Sequence, residues 1–157
     1  MTKRSVIHDT FVIERPYAAS AARVFAAFAS EEAKSAWGDT GELAKAEPAT
    51  GPAEFDFRTG GRERFGHRYQ GISYTYDALY YDIVPSQLIV YSYEMYADGV
   101  RISVSVTTIE FAEADDGTTL TWTEQGAYLD GFDGEEAPRL RQGGTSEMLD
   151  GLGKYLA

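Results

Sequence analysis

The chain contains no cysteine, which excludes disulfides, thiolate nucleophiles and thiolate-ligated metals, and is what a reducing compartment permits. Histidine is nearly as scarce. His8 and His67 lie far apart and have no ligand-spaced companion, so no metal site is expected. No run of about eighteen apolar residues occurs, and positions 1–8 have no apolar leader core, so the expectation is a cytoplasmic chain that does not enter membranes. Positive charge is in deficit: 14 Lys and Arg against 25 Asp and Glu give −11. That balance opposes phosphate backbones and anionic surfaces, so nucleic acid is not an expected partner. No Gly-x-Ser-x-Gly elbow, P-loop or dinucleotide fingerprint is present, so the motifs name neither a catalytic residue nor a cofactor.

What the chain has is apolar and aromatic mass. At 157 residues and 43% hydrophobic content it can bury one core and is too short for two ordinary domains, so residues 1–157 read as a single domain. Residues 6–15 contain Phe11, Val12 and Ile13 and stop at Pro16, which predicts a first strand. Two short helices follow, with Ser20 and Ser30 as caps and Glu31 and Glu32 in the second helix's first turn. The stretch 39–53 is rich in Gly, Pro and Ala without periodicity and reads as a loop. Six strands are then predicted at 54–58, 62–69, 73–84, 88–96, 101–112 and 118–125, separated by turn residues such as Gly71, Pro85-Ser86, Asp98-Gly99 and Asp116-Gly117. The acidic stretch 130–136 lacks calcium-loop spacing and reads as the approach to a helix.

Met148, Leu149, Leu152, Tyr155 and Leu156 then fall at helical spacing. Gly143 and Gly144 each cost about 1 kcal/mol inside a helix. The preferred reading is nevertheless one helix from about residue 137, with the glycines where it meets the sheet. The fold class is therefore α+β, a curved antiparallel sheet of about six or seven strands with a long C-terminal helix and two short helices after the first strand.

Several motifs carry a family resemblance: Ala22-Arg23-Val24-Phe25, the stretch 30–37, Phe55-Asp56-Phe57-Arg58-Thr59-Gly60-Gly61, Ile83-Val84-Pro85-Ser86-Gln87-Leu88, the stretch 117–125, and Leu149-Asp150-Gly151-Leu152. In this order they resemble the START-like (Bet v-like, SRPBCC) superfamily with its helix-grip fold, and within it bacterial proteins similar to the C-terminal domain of the activator of heat-shock-protein-90 ATPase. The resemblance implies a ligand-binding fold that hosts lipid carriers, hormone receptors, polyketide cyclases and chaperone regulators. The co-chaperones of that family carry an additional N-terminal domain, which the residues before Val6 are too few to supply, so their activity is not expected here. Where family members often place a His near the end of the last strand, this chain has Glu124.

The expected ligand is a small hydrophobic or aromatic molecule held between sheet and C-terminal helix. Tyr76, Tyr91, Tyr93, Trp122 and Met148 are the predicted lining, and Trp37 and Tyr69 join the candidate binding residues. Glu124 follows Leu120 and Trp122 at strand spacing, which makes it a polar anchor or general base, or else a wet or Arg-tied strand end. Arg64, in the basic stretch with Arg58, Arg62, His67 and Arg68, is the candidate partner for an acidic ligand group, against the alternative of a solvated strand face.

Two further functions stay open. One is a cyclase- or dehydratase-like enzyme using Glu124 and tyrosines. The other is a protein-interaction or co-chaperone-like module, including a homodimer through an aromatic sheet face. Apolar phase changes after Val106, after Val90 and between Ala78 and Leu79 predict aligned β-bulges that bend the sheet.

Overall fold

The protein, described by a computed structural model over residues 3–39, 45–48 and 53–157, is an antiparallel sheet with helices on one face. Strand β1 (Val6–Tyr17) is followed by α1 (Ala21–Ala26) and α2 (Glu31–Gly38). Next come β2 (Glu47–Pro48), β3 (Glu54–Phe55), β4 (Arg62–Tyr69), β5 (Ile72–Val84), β6 (Leu88–Ala97), β7 (Val100–Ala114) and β8 (Gly117–Leu129). A 3-10 turn, Gly134–Glu136, leads into α3 (Ala137–Leu156). The sheet order is β1-β8-β7-β6-β5-β4-β2, with β3 also paired to β4. The last strand thus inserts beside the first, and β1 forms an edge. Much of the predicted loop at 39–53 lies outside the described residues; its described part includes β2.

Local chemistry accounts for the connections. Gln70-Gly71 and Asp98-Gly99 both take positive φ, 50° and 80°, then 48° and 79°, the conformation that tight hairpin turns between twisted strands require. Ser20 and Ser30 cap α1 and α2 by accepting from Arg23 N at 3.2 Å and Ala33 N at 3.1 Å. The core joins the two layers: Val24, Phe28 and Trp37 from the short helices, Leu149, Leu152 and Leu156 from α3, and Ile89, Ile109, Leu120 and Trp122 from the sheet. Tyr17 donates its hydroxyl to Leu149 O at 2.7 Å, tying β1 to α3.

The structure moves the bulges. Pairing between β5 and β6 passes from Tyr80–Tyr91 to Asp82–Val90, leaving Tyr81 as the extra residue. Pairing between β6 and β7 passes from Met95–Ser103 to Tyr96–Arg101, leaving Ile102 extra. The shift that leaves Tyr81 extra lies opposite Val90 and Tyr91, one of the expected places, although β6 itself keeps its alternation; after Val106 the register is regular. Val104 and Val106 accordingly face outward, 39% and 42% exposed, and Ser103, Ser105 and Thr107 occupy the buried face. The expectation failed because it assigned apolar residues to the inside, whereas this part of the inner face is built from hydroxyls.

α3 is continuous from Ala137, as expected, but Gly143 and Gly144 do not touch the sheet. A Cβ added at Gly143 or Gly144 would meet nothing within 4 Å. The helix packs on β1, β8 and α2 through its second half, where Leu149, Gly151, Leu152 and Leu156 are buried.

Candidate functional site

Alternation along β8 turns Leu120, Trp122, Glu124, Gly126 and Tyr128 to the helix-covered face. Register then fixes their neighbours. Glu124 lies beside Thr107 and Tyr91, Gly126 beside Ser105 and Tyr93, and Tyr128 beside Ser103 and Met95, reading from β8 through β7 to β6. The result is a polar patch in the middle of a largely apolar inner face.

Glu124 is 1% exposed, and such a carboxylate requires partners. Its Oε2 accepts from the Tyr93 hydroxyl at 2.7 Å, and its Oε1 accepts from Thr107 Oγ1 at 2.9 Å and Trp122 Nε1 at 3.3 Å. Arg141, from the first half of α3, reaches down to the same patch. Its Nη1 lies 4.0 Å from Glu124 Oε2 and donates to the Tyr93 hydroxyl at 2.8 Å. Its Nη2 donates to Ser103 Oγ at 2.8 Å. The guanidinium carbon also sits 5.4 Å from the Tyr93 ring centre and 5.3 Å from that of Tyr128, within cation–π range.

Burial works against the Arg141 charge, but Tyr93 and Glu124 more than offset it and hold the group above its ordinary value. Burial pushes the Tyr93 phenol well up, with Arg141 opposing and Glu124 reinforcing. Tyr128 is pushed up to about 12, chiefly by burial. Both phenols are therefore protonated donors at neutral pH.

Two hydroxyls in this patch, Ser105 Oγ and Tyr128 Oη, have no hydrogen-bond partner among the described residues. They flank Gly126, where an added Cβ would meet Ser105 Oγ and Tyr128 Cε2 at 3.1 Å each. Glycine keeps these groups close together on adjacent strands.

An aromatic ledge runs outward from the patch. Tyr91 lies 6.0 Å from Tyr93, Tyr93 lies 5.0 Å from Tyr76, and Tyr76 stacks on Phe65 at 4.9 Å. Burial falls along it, from buried Tyr91 and Tyr93 through half-buried Tyr76 to Phe65, which is 42% exposed. A second buried carboxylate, Glu63, stands on the same face at β4. Lys34 Nζ holds it at 2.5 and 2.9 Å, and the Tyr80 hydroxyl approaches at 3.4 Å.

Of the residues singled out in the sequence, Tyr76, Tyr91, Tyr93, Trp122 and Glu124 share this face, and Met148 packs half-buried against the core beside it. Strand β8 continues to Leu129, so Glu124 is not at a strand end. Trp37 is buried elsewhere, donating to Ala27 O at 2.8 Å and packing edge-on against Phe28. Arg64 is exposed on β4, alternating with inward Glu63. Tyr69 ends β4 and accepts from Gln70 Nε2 at 3.3 Å. Neither Arg64 nor Tyr69 is in the Arg141 cluster.

Ser103, Ser105, Gly126, Tyr128 and Arg141 were not singled out from the sequence. One signal was available: Arg141 falls on the α3 stripe that continues through Thr145, Met148 and Leu152, a charge on a buried helix face. Two open concavities lie away from the tyrosine ledge, the first reaching Ser105 and Gly126. One, of about 590 Å³, is on the outer face of β1, β7 and β8 around Val104 and Val106. The other, of about 540 Å³, lies between β1 and α3 around Arg15 and Gln142.

Among the described residues, no helix is long and apolar enough to cross a membrane. Similar solved structures share the whole architecture. An uncharacterised protein from Rhizobium leguminosarum is 41% identical with a TM-score of 0.86, over 99% of this chain and 98% of that one. The Mll3558 protein from Rhizobium loti is 41% identical with a TM-score of 0.83, over 96% and 99%. Protein CV1439 from Chromobacterium violaceum, at 22% identity and a TM-score of 0.71 over 94% and 96%, shares the fold. No curated protein matches the chain significantly. Residues 18–157 match the family described as Activator of Hsp90 ATPase homolog 1-like protein, and with its START-like helix-grip architecture the chain belongs to that family.

Proposed function

We propose that this protein binds a small hydrophobic or aromatic molecule against the tyrosine-rich inner face of the sheet, with the Arg141–Tyr93–Glu124 cluster at its polar end. The observation that carries this reading is the ledge Tyr91–Tyr93–Tyr76–Phe65, which leads from the buried cluster to solvent. Mostly apolar walls with a few converging polar groups are what small-molecule sites use. The open space at half-buried Gly144, on the Arg141 stripe of α3, supports room for a ligand there.

Two features favour binding over the other functions. Both oxygens of Glu124 accept hydrogen bonds, from Tyr93, Thr107 and Trp122, which supports a positioning role for the carboxylate over that of a general base. The aromatics face inward, which supports a ligand platform over an interface made of the same side chains.

Native mass spectrometry on protein purified without detergent tests the proposal. The expected result is a reproducible small-molecule adduct that disappears on denaturation, or a complex formed on adding hydrophobic aromatic compounds. A bare polypeptide mass with every added compound overturns it.

A further inference from the structure

The donor and acceptor inventory of the cluster narrows the chemistry of that ligand. Glu124, the carboxylate paired with Arg141 among the described residues, accepts from Tyr93, Thr107 and Trp122. The Tyr93 hydroxyl both donates to Glu124 and accepts from Arg141, and Ser103 Oγ accepts from Arg141. What remains uncommitted is mostly donor capacity. Ser105 and Tyr128 each have an unpartnered, fully buried hydroxyl, and Arg141 has N–H groups beyond the two bonded to Tyr93 and Ser103. A guanidinium donates and never accepts. A ligand N–H could pair only with the two hydroxyl oxygens and would find no acceptor on Arg141, whereas an oxygen lone pair can accept from Arg141, Ser105 and Tyr128 together.

Position supports the same conclusion. Ser105 and Tyr128 flank Gly126, whose missing side chain lets the two close in on each other, and the Arg141 guanidinium lies over the Tyr128 ring. Unsatisfied buried hydroxyls are uncommon in folded proteins and call for a partner. Arg141 is the outermost member, with its side chain 20% exposed. Gly144, one helical turn on, adds no side chain to restrict its movement. Building on the ligand reading above, we infer that Ser105, Tyr128 and Arg141 form the receptor for an acceptor-only oxygen group, a carbonyl or a carboxylate, on the aromatic ligand.

Binding of four naphthalene probes of similar size tests this, by calorimetry or quenching of protein fluorescence: acetylnaphthalene, naphthoate, naphthylamine and methylnaphthalene. The expected result is that acetylnaphthalene or naphthoate binds about tenfold or more tighter than the other two, and the better of the pair says whether the group is a carbonyl or a carboxylate. Ser105→Ala and Tyr128→Phe should each weaken the acceptor probe about three- to tenfold and leave methylnaphthalene unchanged. Equal binding of all four probes overturns the receptor while leaving the aromatic site standing. Acceptor preference that survives in both variants also overturns it. Failure of every probe to bind counts against the receptor and the site together.

Discussion

Tyr93 on β6 donates its hydroxyl to Glu124 on β8 across 2.7 Å, reaching over the intervening strand β7. The span is available because β7 presents only Ser105 and Thr107 beneath it. A larger inward residue at either position would separate the pair. The arrangement leads to several expected outcomes.

Breaking the cluster from the helix side should show coupling. Arg141→Met leaves Glu124 buried without its cation, and losing one partner of a buried pair costs about 3 to 5 kcal/mol. Glu124→Gln in the same chain should recover part of that loss. A double-mutant cycle by chemical denaturation should give a coupling of about 0.5 to 3 kcal/mol; additive single-site effects would show that the two groups do not interact.

Ser105→Ala and Tyr128→Phe should not destabilise the ligand-free protein. Each removes a buried hydroxyl without a partner, and relief of such a group is neutral or stabilising by about 1 kcal/mol. A drop in melting temperature for both variants would mean that the hydroxyls are satisfied in solution.

Trp122 is 4% exposed, packs edge-on near Tyr91 and donates to Glu124. Trp122→Ala should destabilise the fold by about 3 to 5 kcal/mol. An unchanged unfolding midpoint would remove Trp122 from the core.

Alkaline pH should unfold the protein. An unfolded tyrosine loses its proton near pH 10, whereas burial keeps Tyr128 protonated to about 12 and Tyr76, Tyr91 and Tyr93 protonated well above the ordinary value. The stability these groups confer is complete below about pH 10 and falls as pH rises towards their folded values, because only the unfolded chain releases protons there. Melting temperature should therefore decline from about pH 10 upward, with phenolate absorbance rising together with loss of secondary structure. Full phenolate absorbance from a still-folded protein would contradict the burial of these rings.

Much of the architecture was legible because its signals are local. Gln70-Gly71 and Asp98-Gly99 mark hairpins through backbone conformations that only a few residue types tolerate. Ser20 and Ser30 mark helix starts through their caps, and the spacing of Leu149, Leu152 and Leu156 marks α3. Half of the site was legible on the same grounds: Trp122 and Glu124 stand at strand spacing after Leu120, and the tyrosines of β5 and β6 follow the pleat.

The rest depends on which face of each strand is covered, and a period-two pattern does not state that. Along β7, Val104 and Val106 look like the buried set and Ser103, Ser105 and Thr107 like the exposed one; the structure has them reversed. Neighbouring strands decide the matter, because register with Glu124, Gly126 and Tyr128 places those hydroxyls under α3. Arg141, some 38 residues from Ser103, meets it only when the helix folds back across the sheet. Turn chemistry and periodicity alone thus determined the order and type of the elements apart from the short β2, which falls in the stretch read as a loop. Tertiary packing decided the polar centre, because a buried charge and its partners are selected by what surrounds them in space and leave no fixed spacing along the chain.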